Sequence, residues 1–245
     1  MGPGAPGACT IRSMPARYHE VSRLEGFSDA VFAFALTLLV VSLEVPSDFE
    51  RLTVQMRGFV GFALMFAMVC WIWYEHNWFF RHTGLQDPWT VALNSALLFV
   101  VLFYVYPMKF LTAALMWQFF RLGGPEGPRL PTEAGGGAVM VMYSAGVVMI
   151  FGVFLLLYRH AAGRRHELGL TADDAVRFAY ARQAHAISMS LGLVSIGLAL
   201  ALPRQAWLAG LIYFFMGPLH AWNGYRQQRA LAALAGAAVP DRTGN

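Results

Sequence analysis

The stretch FSDAVFAFALTLLVVSLEVP, Phe27–Pro46, decides how this chain is read. About 20 mostly apolar residues suffice for a helix to cross the hydrocarbon core of a bilayer. Yet the run opens on a carboxylate, Asp29, and carries a hydroxyl, Thr37, near its middle. At about 100° per residue, Phe27, Ala30, Phe34, Leu38, Val41 and Val45 fall on one narrow stripe. Thr37 sits at the edge of that stripe. Ser28 and Asp29 point away from it, on opposite flanks. The charge and the stripe therefore serve different purposes.

Composition sets the class. The chain has 245 residues, 57% hydrophobic and 13% charged, with a mean hydropathy of +0.49. A soluble domain normally carries about 25% charged residues. Too little charge remains to cover a soluble surface, so the sequence predicts an all-α integral membrane protein. The net charge of +4 comes from arginine, Lys109 being the only lysine. Basic loops beside membrane spans account for it without a nucleic-acid partner. Cys9 and Cys70 offer neither metal spacing nor a pairing, and no nucleotide or hydrolase motif occurs. No cofactor or metal is expected.

Apolar runs predict six spans, at about 27–45, 55–80, 90–116, 138–160, 180–202 and 205–224. Pro107 is expected to bend the third. The fifth is rich in Ser and Gly, as where helices pack closely. Together they predict one membrane domain over 23–228. It is flanked by a disordered cytoplasmic tail over 1–22 and a cytoplasmic tail over 229–245. The Gly/Pro/Ala-rich start has no apolar core and is not a secretory signal. Translation is expected to begin at Met14. With the N-terminus inside, 12 basic residues fall on inner segments and 6 on outer ones. Both termini are thus expected in the cytoplasm. Trp71, Trp73, Tyr74, Trp78, Trp117, Trp207, Trp222 and Tyr225 are read as interface aromatics.

Ser28 and Asp29 have two readings. They could cap a helix N-terminus, where a negative charge meets the positive end of the dipole. Alternatively they join a buried polar cluster with Arg23, His76, Asn77, Arg81 and Asn94, all at the same predicted depth. Polar groups at membrane depth usually face protein and pair with one another. The stripe alone reads as a lipid-facing or packing face, and the Thr37 hydroxyl as bonded to the carbonyl one turn back.

The segment Arg23-Leu-Glu-Gly-Phe27-Ser28-Asp29, followed by AxxFAxxLTLLVVSLEVP, resembles the signature of the bacterial transmembrane-protein-175 family of potassium channels, which has a lysosomal relative. His76, Asn77, Phe79, Arg81, Asp87, Asn94 and Pro107 extend the resemblance over about residues 20–110; the last three spans match only as spans. The resemblance implies six spans per repeat, with single-repeat bacterial members forming homotetramers whose first helices line a central pore. This chain shows one repeat. Aligned on Thr37, the constriction and gate fall at Phe34, Leu38 and Val41, the residues the helical count had placed on one stripe. Thr37 would contribute to potassium selectivity, and Arg23, Phe27, Ser28, Asp29, His76, Asn77 and Asn94 to a structural polar network. Isoleucine or leucine is usual at the first constriction; Phe34 departs from this, which puts conductance and selectivity in question. Partners implied are the chain itself, membrane lipids and permeant potassium, with proton leak a second activity. A bacterial inner membrane fits both the resemblance and the Ala/Arg-rich composition.

Two rival classes remain. A secondary transporter or exchanger of small cations needs an ionisable group at mid-membrane, and the sequence places Glu75 and Asp29 nearer the inner end. A membrane enzyme needs converging nucleophile, base or metal ligands. His160, Arg164, Arg165 and His166 read as a basic loop facing solvent or headgroups, and His185 and His220 as isolated, satisfied bundle histidines. The expectation is therefore not an enzyme. Glu44 and Asp48 could concentrate cations at the outer mouth, or simply sit in a solvated loop.

Overall fold

The computed structural model describes residues 21–41, 47–122 and 134–237. Residues 1–20 of the predicted tail over 1–22, residues 238–245 of that over 229–245, and Glu44, Val45 and Pro46 lie outside them, Met14 among the first. Eight α-helices occur among the described residues: α1 (Arg23–Val41), α2 (Phe49–Arg57), α3 (Phe59–Thr83), α4 (Pro88–Phe120), α5 (Ala134–Gly163), α6 (Ala172–Ala201), α7 (Ala206–Leu211) and α8 (Met216–Ala237). No strand is present among them. Five helices, α1, α3, α4, α5 and α6, are long and apolar enough to cross a membrane.

Local chemistry sets the boundaries. Ser22 and Glu25 form a reciprocal cap: the Glu25 amide donates to Ser22 Oγ (3.2 Å) and the Ser22 amide to Glu25 Oε2 (3.0 Å). That is a capping box, and α1 therefore starts five residues before Ser28. The N-cap reading of Ser28 and Asp29 is corrected accordingly. Asp48 caps α2 through the Arg51 amide (2.8 Å) and also pairs with the Arg51 side chain (3.5 Å). The turn between α3 and α4 requires Gly84, whose φ of 59° is left-handed and costs glycine nothing.

Helix α4 packs on both α1 and α3 on one side and on α5 on the other. It runs unbroken through Pro107, whose carbonyl accepts from the Tyr143 hydroxyl (2.8 Å). The Tyr104 ring lies against Gly146 of α5, where no Cβ would fit, and its hydroxyl donates to the Met142 carbonyl. The longest interface is α5 on α6. There Gly192 admits Val148, and Ser144 Oγ donates to Ser195 Oγ (2.8 Å). Small and hydroxyl residues are what close helix approach in a membrane requires.

The predicted sixth span, 205–224, is not one helix. It consists of 3₁₀ turns at Pro203–Gln205 and Ile212–Phe215, the short α7 and the first turns of α8. Pro218 falls in the first turn of α8, where its missing amide is tolerated, and the 3₁₀ turn at Ile212–Phe215 separates α7 from α8. The segment nevertheless runs antiparallel along α6. Ser195 Oγ donates to Ala209 O (3.0 Å), Ser188 Oγ bonds His220 Nε2 (2.9 Å), and Asn223 Nδ2 donates to Tyr180 O (3.0 Å). Falling numbers on α6 thus meet rising numbers on α7 and α8. Helix α8 continues to Ala237, beyond the predicted boundary at 228.

Candidate functional site

Helix α1 is the least covered of the five long helices: 22% of its apolar window is buried, against 44% for α4. Its buried residues are Glu25, Ser28, Phe32, Ala35 and Leu39. Phe32, Ala35 and Leu39 join the apolar core shared with α3 and α4. The opposite face carries Phe27, Phe34, Leu38 and Val41, at 58%, 56%, 40% and 70% exposure. By helical geometry the two faces are roughly 140° apart. The chain's own helices therefore leave bare the stripe that the sequence singled out. Thr37 is also exposed, and its hydroxyl donates to the Ala33 carbonyl (2.9 Å). The proton is spent on the backbone, which leaves the oxygen lone pairs facing outward.

Behind the bare face lies a buried polar chain across three helices. Ser28 Oγ donates to the Leu24 carbonyl (2.8 Å), and Asn94 Nδ2 donates to Ser28 Oγ (2.9 Å). His76 Nε2 donates to Asn94 Oδ1 (2.7 Å). Because the Asn94 amide nitrogen is committed to Ser28, its oxygen faces His76, and Nε2 must carry the hydrogen. Ser28 and Asn94 are fully buried and His76 nearly so. The His76 ring also lies between Phe32 and Phe80.

The structure thus brings Ser28, His76 and Asn94 together, and separates the other proposed members from them. Asp29 accepts from the Trp73 indole of α3 (2.7 Å), a second α1–α3 link outside the buried chain. Arg23 is at the exposed start of α1, Phe27 is on the bare stripe, and Asn77 is half-buried beside His76. Several aromatics read as interface residues have specific partners. Trp73 holds Asp29, Trp78 stacks on His82 and meets Tyr158 and Phe178, and Trp117 is buried.

The sequence missed a second tie at this end of the bundle. Asp87 caps α4 through the amide and hydroxyl of Thr90 (3.2 and 2.7 Å). It also meets His160 Nε2 of α5 (2.9 Å) and Arg164 (3.6 Å). His160 is on α5 and is turned inward, which corrects its reading as part of a loop facing solvent or headgroups. Burial alone would raise the Asp87 carboxyl, but the Thr90 and His160 hydrogen bonds outweigh it and hold the group down at about 2. A depressed carboxyl stabilises the fold above its ordinary range, and that stability is lost as pH falls toward the folded value. Asp87→Asn should therefore cost about 1–2 kcal/mol at neutral pH, after allowance for solvent screening. It should also flatten the loss of stability between about pH 4 and pH 2. Thermal melting in detergent across that range checks both; equal melting of the two proteins would remove the tie.

One histidine reading also changes. His220 is satisfied by Ser188, but His185, 3% exposed, has no partner for Nε2. That atom lies 3.8 Å from Glu75 Oε2. Glu75 directly precedes His76 on α3 and so lies near the level of Ser28 and Asn94. Among the described residues no group of three His, Cys, Asp or Glu could hold a metal ion.

A helical bundle with five helices able to cross a bilayer, one of them bare along an apolar stripe, defines an integral membrane protein. Residues 23–107 match the family model described as endosomal/lysosomal potassium channel TMEM175. A potassium channel of Marivirga tractuosa is 37% identical over 212 residues, covering 83% of this chain and 86% of that one. A potassium channel of Chamaesiphon minutus is 26% identical over 194 residues, 74% of this chain and 88% of its own. Among solved structures, a variant of the potassium channel MtTMEM175 superposes with a TM-score of 0.75 at 34% identity, covering 87% of this chain and 96% of that one. A lysosomal potassium-selective channel TMEM175 homolog from Chamaesiphon minutus gives 0.54 at 25% identity, covering 84% and 96%. The chain belongs to the TMEM175 family.

Proposed function

We propose that this chain is the subunit of a homotetrameric, potassium-selective channel in a bacterial inner membrane, with six crossings per chain and both termini in the cytoplasm. Four α1 helices would surround the symmetry axis, with Phe34, Leu38 and Val41 as hydrophobic constriction and gate. The carrying observation is the bare α1 face, where 56% of Phe34 and 70% of Val41 stay exposed although α1 is anchored from behind. One helix cannot enclose a pore, so the stripe needs copies of itself, and closed symmetry is the usual solution. The relatives named as potassium channels support the choice of ion.

Apolar constrictions gate by dewetting, and polar groups beside them determine which ion sheds water there. The outward lone pairs of Thr37 would contact a partly dehydrated potassium ion. Proton permeation through the same constriction is part of the proposal. The Glu75–His185 pair is the one observation that favours a proton-coupled carrier of small cations instead. It lies between α3 and α6, away from the α1 stripe, and potassium flux that persists without a proton gradient separates the two readings. The assembly is checked by native mass spectrometry from mild detergent. A mass of four chains is expected; a lone chain in preparations that conduct ions would overturn the shared pore.

A further inference from the structure

Within one protomer, α3, α5 and α6 enclose two polar atoms that nothing satisfies. They are His185 Nε2 and the Tyr158 hydroxyl, on residues that are 3% and 1% exposed. Buried polar side-chain atoms nearly always have a partner, so two orphans on neighbouring rings require a reason. The His185 ring stacks on Phe154 (centroids 4.9 Å apart) and lies 5.1 Å from the Tyr158 ring. Apolar rings thus wall the space. Opposite Nε2, at 3.8 Å, is Glu75 Oε2. That separation is too long for a direct hydrogen bond and short enough for both atoms to reach one water.

We propose that Glu75, His185 and Tyr158 form a proton-binding site inside each protomer, in which the carboxyl and imidazole share one proton and a bridging water completes their hydrogen bonds. One proton on the pair makes it neutral overall, whichever atom carries it. None leaves a net negative charge and two leave a net positive one, and either is costly at this depth. A buried water needs two to four polar partners, and Oε2, Nε2 and the Tyr158 hydroxyl supply three. The proton is exchanged through Glu75, whose side chain is 26% exposed.

The other titratable group facing His185 is His220 of α8, held by Ser188 one turn along α6. Its Nε2 is therefore already engaged. The site is separate from the α1 stripe but is joined to it through the backbone: Glu75 faces α5 and α6, while the next residue, His76, bonds Asn94 of α4.

Two groups interacting this closely titrate as a pair. The test uses the full-length protein in lipid bilayers, and its readout is independent of ion flux. Imidazole nitrogen resonances report His185, and infrared difference spectra report the Glu75 carboxyl, across roughly pH 4 to 9. The two signals should move together, with one proton retained by the pair at neutral pH. Glu75→Gln should lower the proton affinity of His185 at least about tenfold, or one pH unit. Tyr158→Phe keeps the ring packing and should shift the midpoint in the same experiment. An unchanged His185 midpoint in Glu75→Gln would overturn the shared proton. An unchanged midpoint in Tyr158→Phe would overturn the water-bridged arrangement. Failure of potassium transport would leave both spectra as they are, so the channel reading and this site fail separately.

Discussion

Phe34→Ala is expected to raise cation flux about tenfold, which corresponds to about 1.4 kcal/mol removed from the permeation barrier. Phe34 is the bulkiest of the exposed side chains proposed to form the narrow point, and 56% of it faces away from its own bundle. In a four-fold assembly each substitution removes four rings from one level of the axis. The wider, less crowded opening holds water more readily, which opposes dewetting. Folding should be little affected, because the helix is held by Phe32, Ala35 and Leu39 on the opposite face. The attraction of ring faces for a cation is modest at wet sites and does not offset the gain in width. Liposome flux, normalised to tetramer content, checks this. Unchanged or abolished flux in an intact tetramer would remove Phe34 from the gate.

Asn94→Leu should have the largest effect on stability. Asn94 is fully buried and is the middle link between Ser28 of α1 and His76 of α3. Leucine fills a similar volume but leaves the His76 Nε2–H without a partner and removes the donor to Ser28 Oγ, which keeps only its bond to the Leu24 carbonyl. Each buried group left unsatisfied costs about 1–3 kcal/mol, so a loss of about 2–4 kcal/mol is expected. Hydrogen bonds between membrane helices are often worth less than this, because the separated helices find other partners. Here the replacement isolates groups that have no water to turn to. Thermal unfolding in detergent reads the loss directly. An undiminished melting temperature would show that packing of Phe32, Ala35 and Leu39 alone anchors α1.

The parts of this architecture that the sequence disclosed are those governed by periodicity and depth. The stripe from Phe27 to Val41 followed from helical geometry alone, and Ser28, His76 and Asn94 were grouped because they shared a depth. Depth does not specify direction, which is why Asn77 and Arg23 were grouped with them and why Asp29 was not matched with Trp73. Two local signals were present and overlooked. Ser22-Arg-Leu-Glu25 is a capping-box pattern that sets the start of α1, and Gly217-Pro218 lies at the start of α8, just after the 3₁₀ turn that interrupts the last crossing. The contacts between Asp87 and His160 and between Glu75 and His185 join residues 73 and 110 positions apart. No local pattern encodes such a pairing; it arises only when α3, α4, α5 and α6 pack.

Potassium flux from liposomes containing the purified protein tests the central claim most directly, with sodium-loaded and protein-free liposomes alongside. The account predicts passive potassium flux well above sodium flux, persisting when no proton gradient is present. Equal potassium and sodium flux, or none, from protein shown to be tetrameric would contradict it.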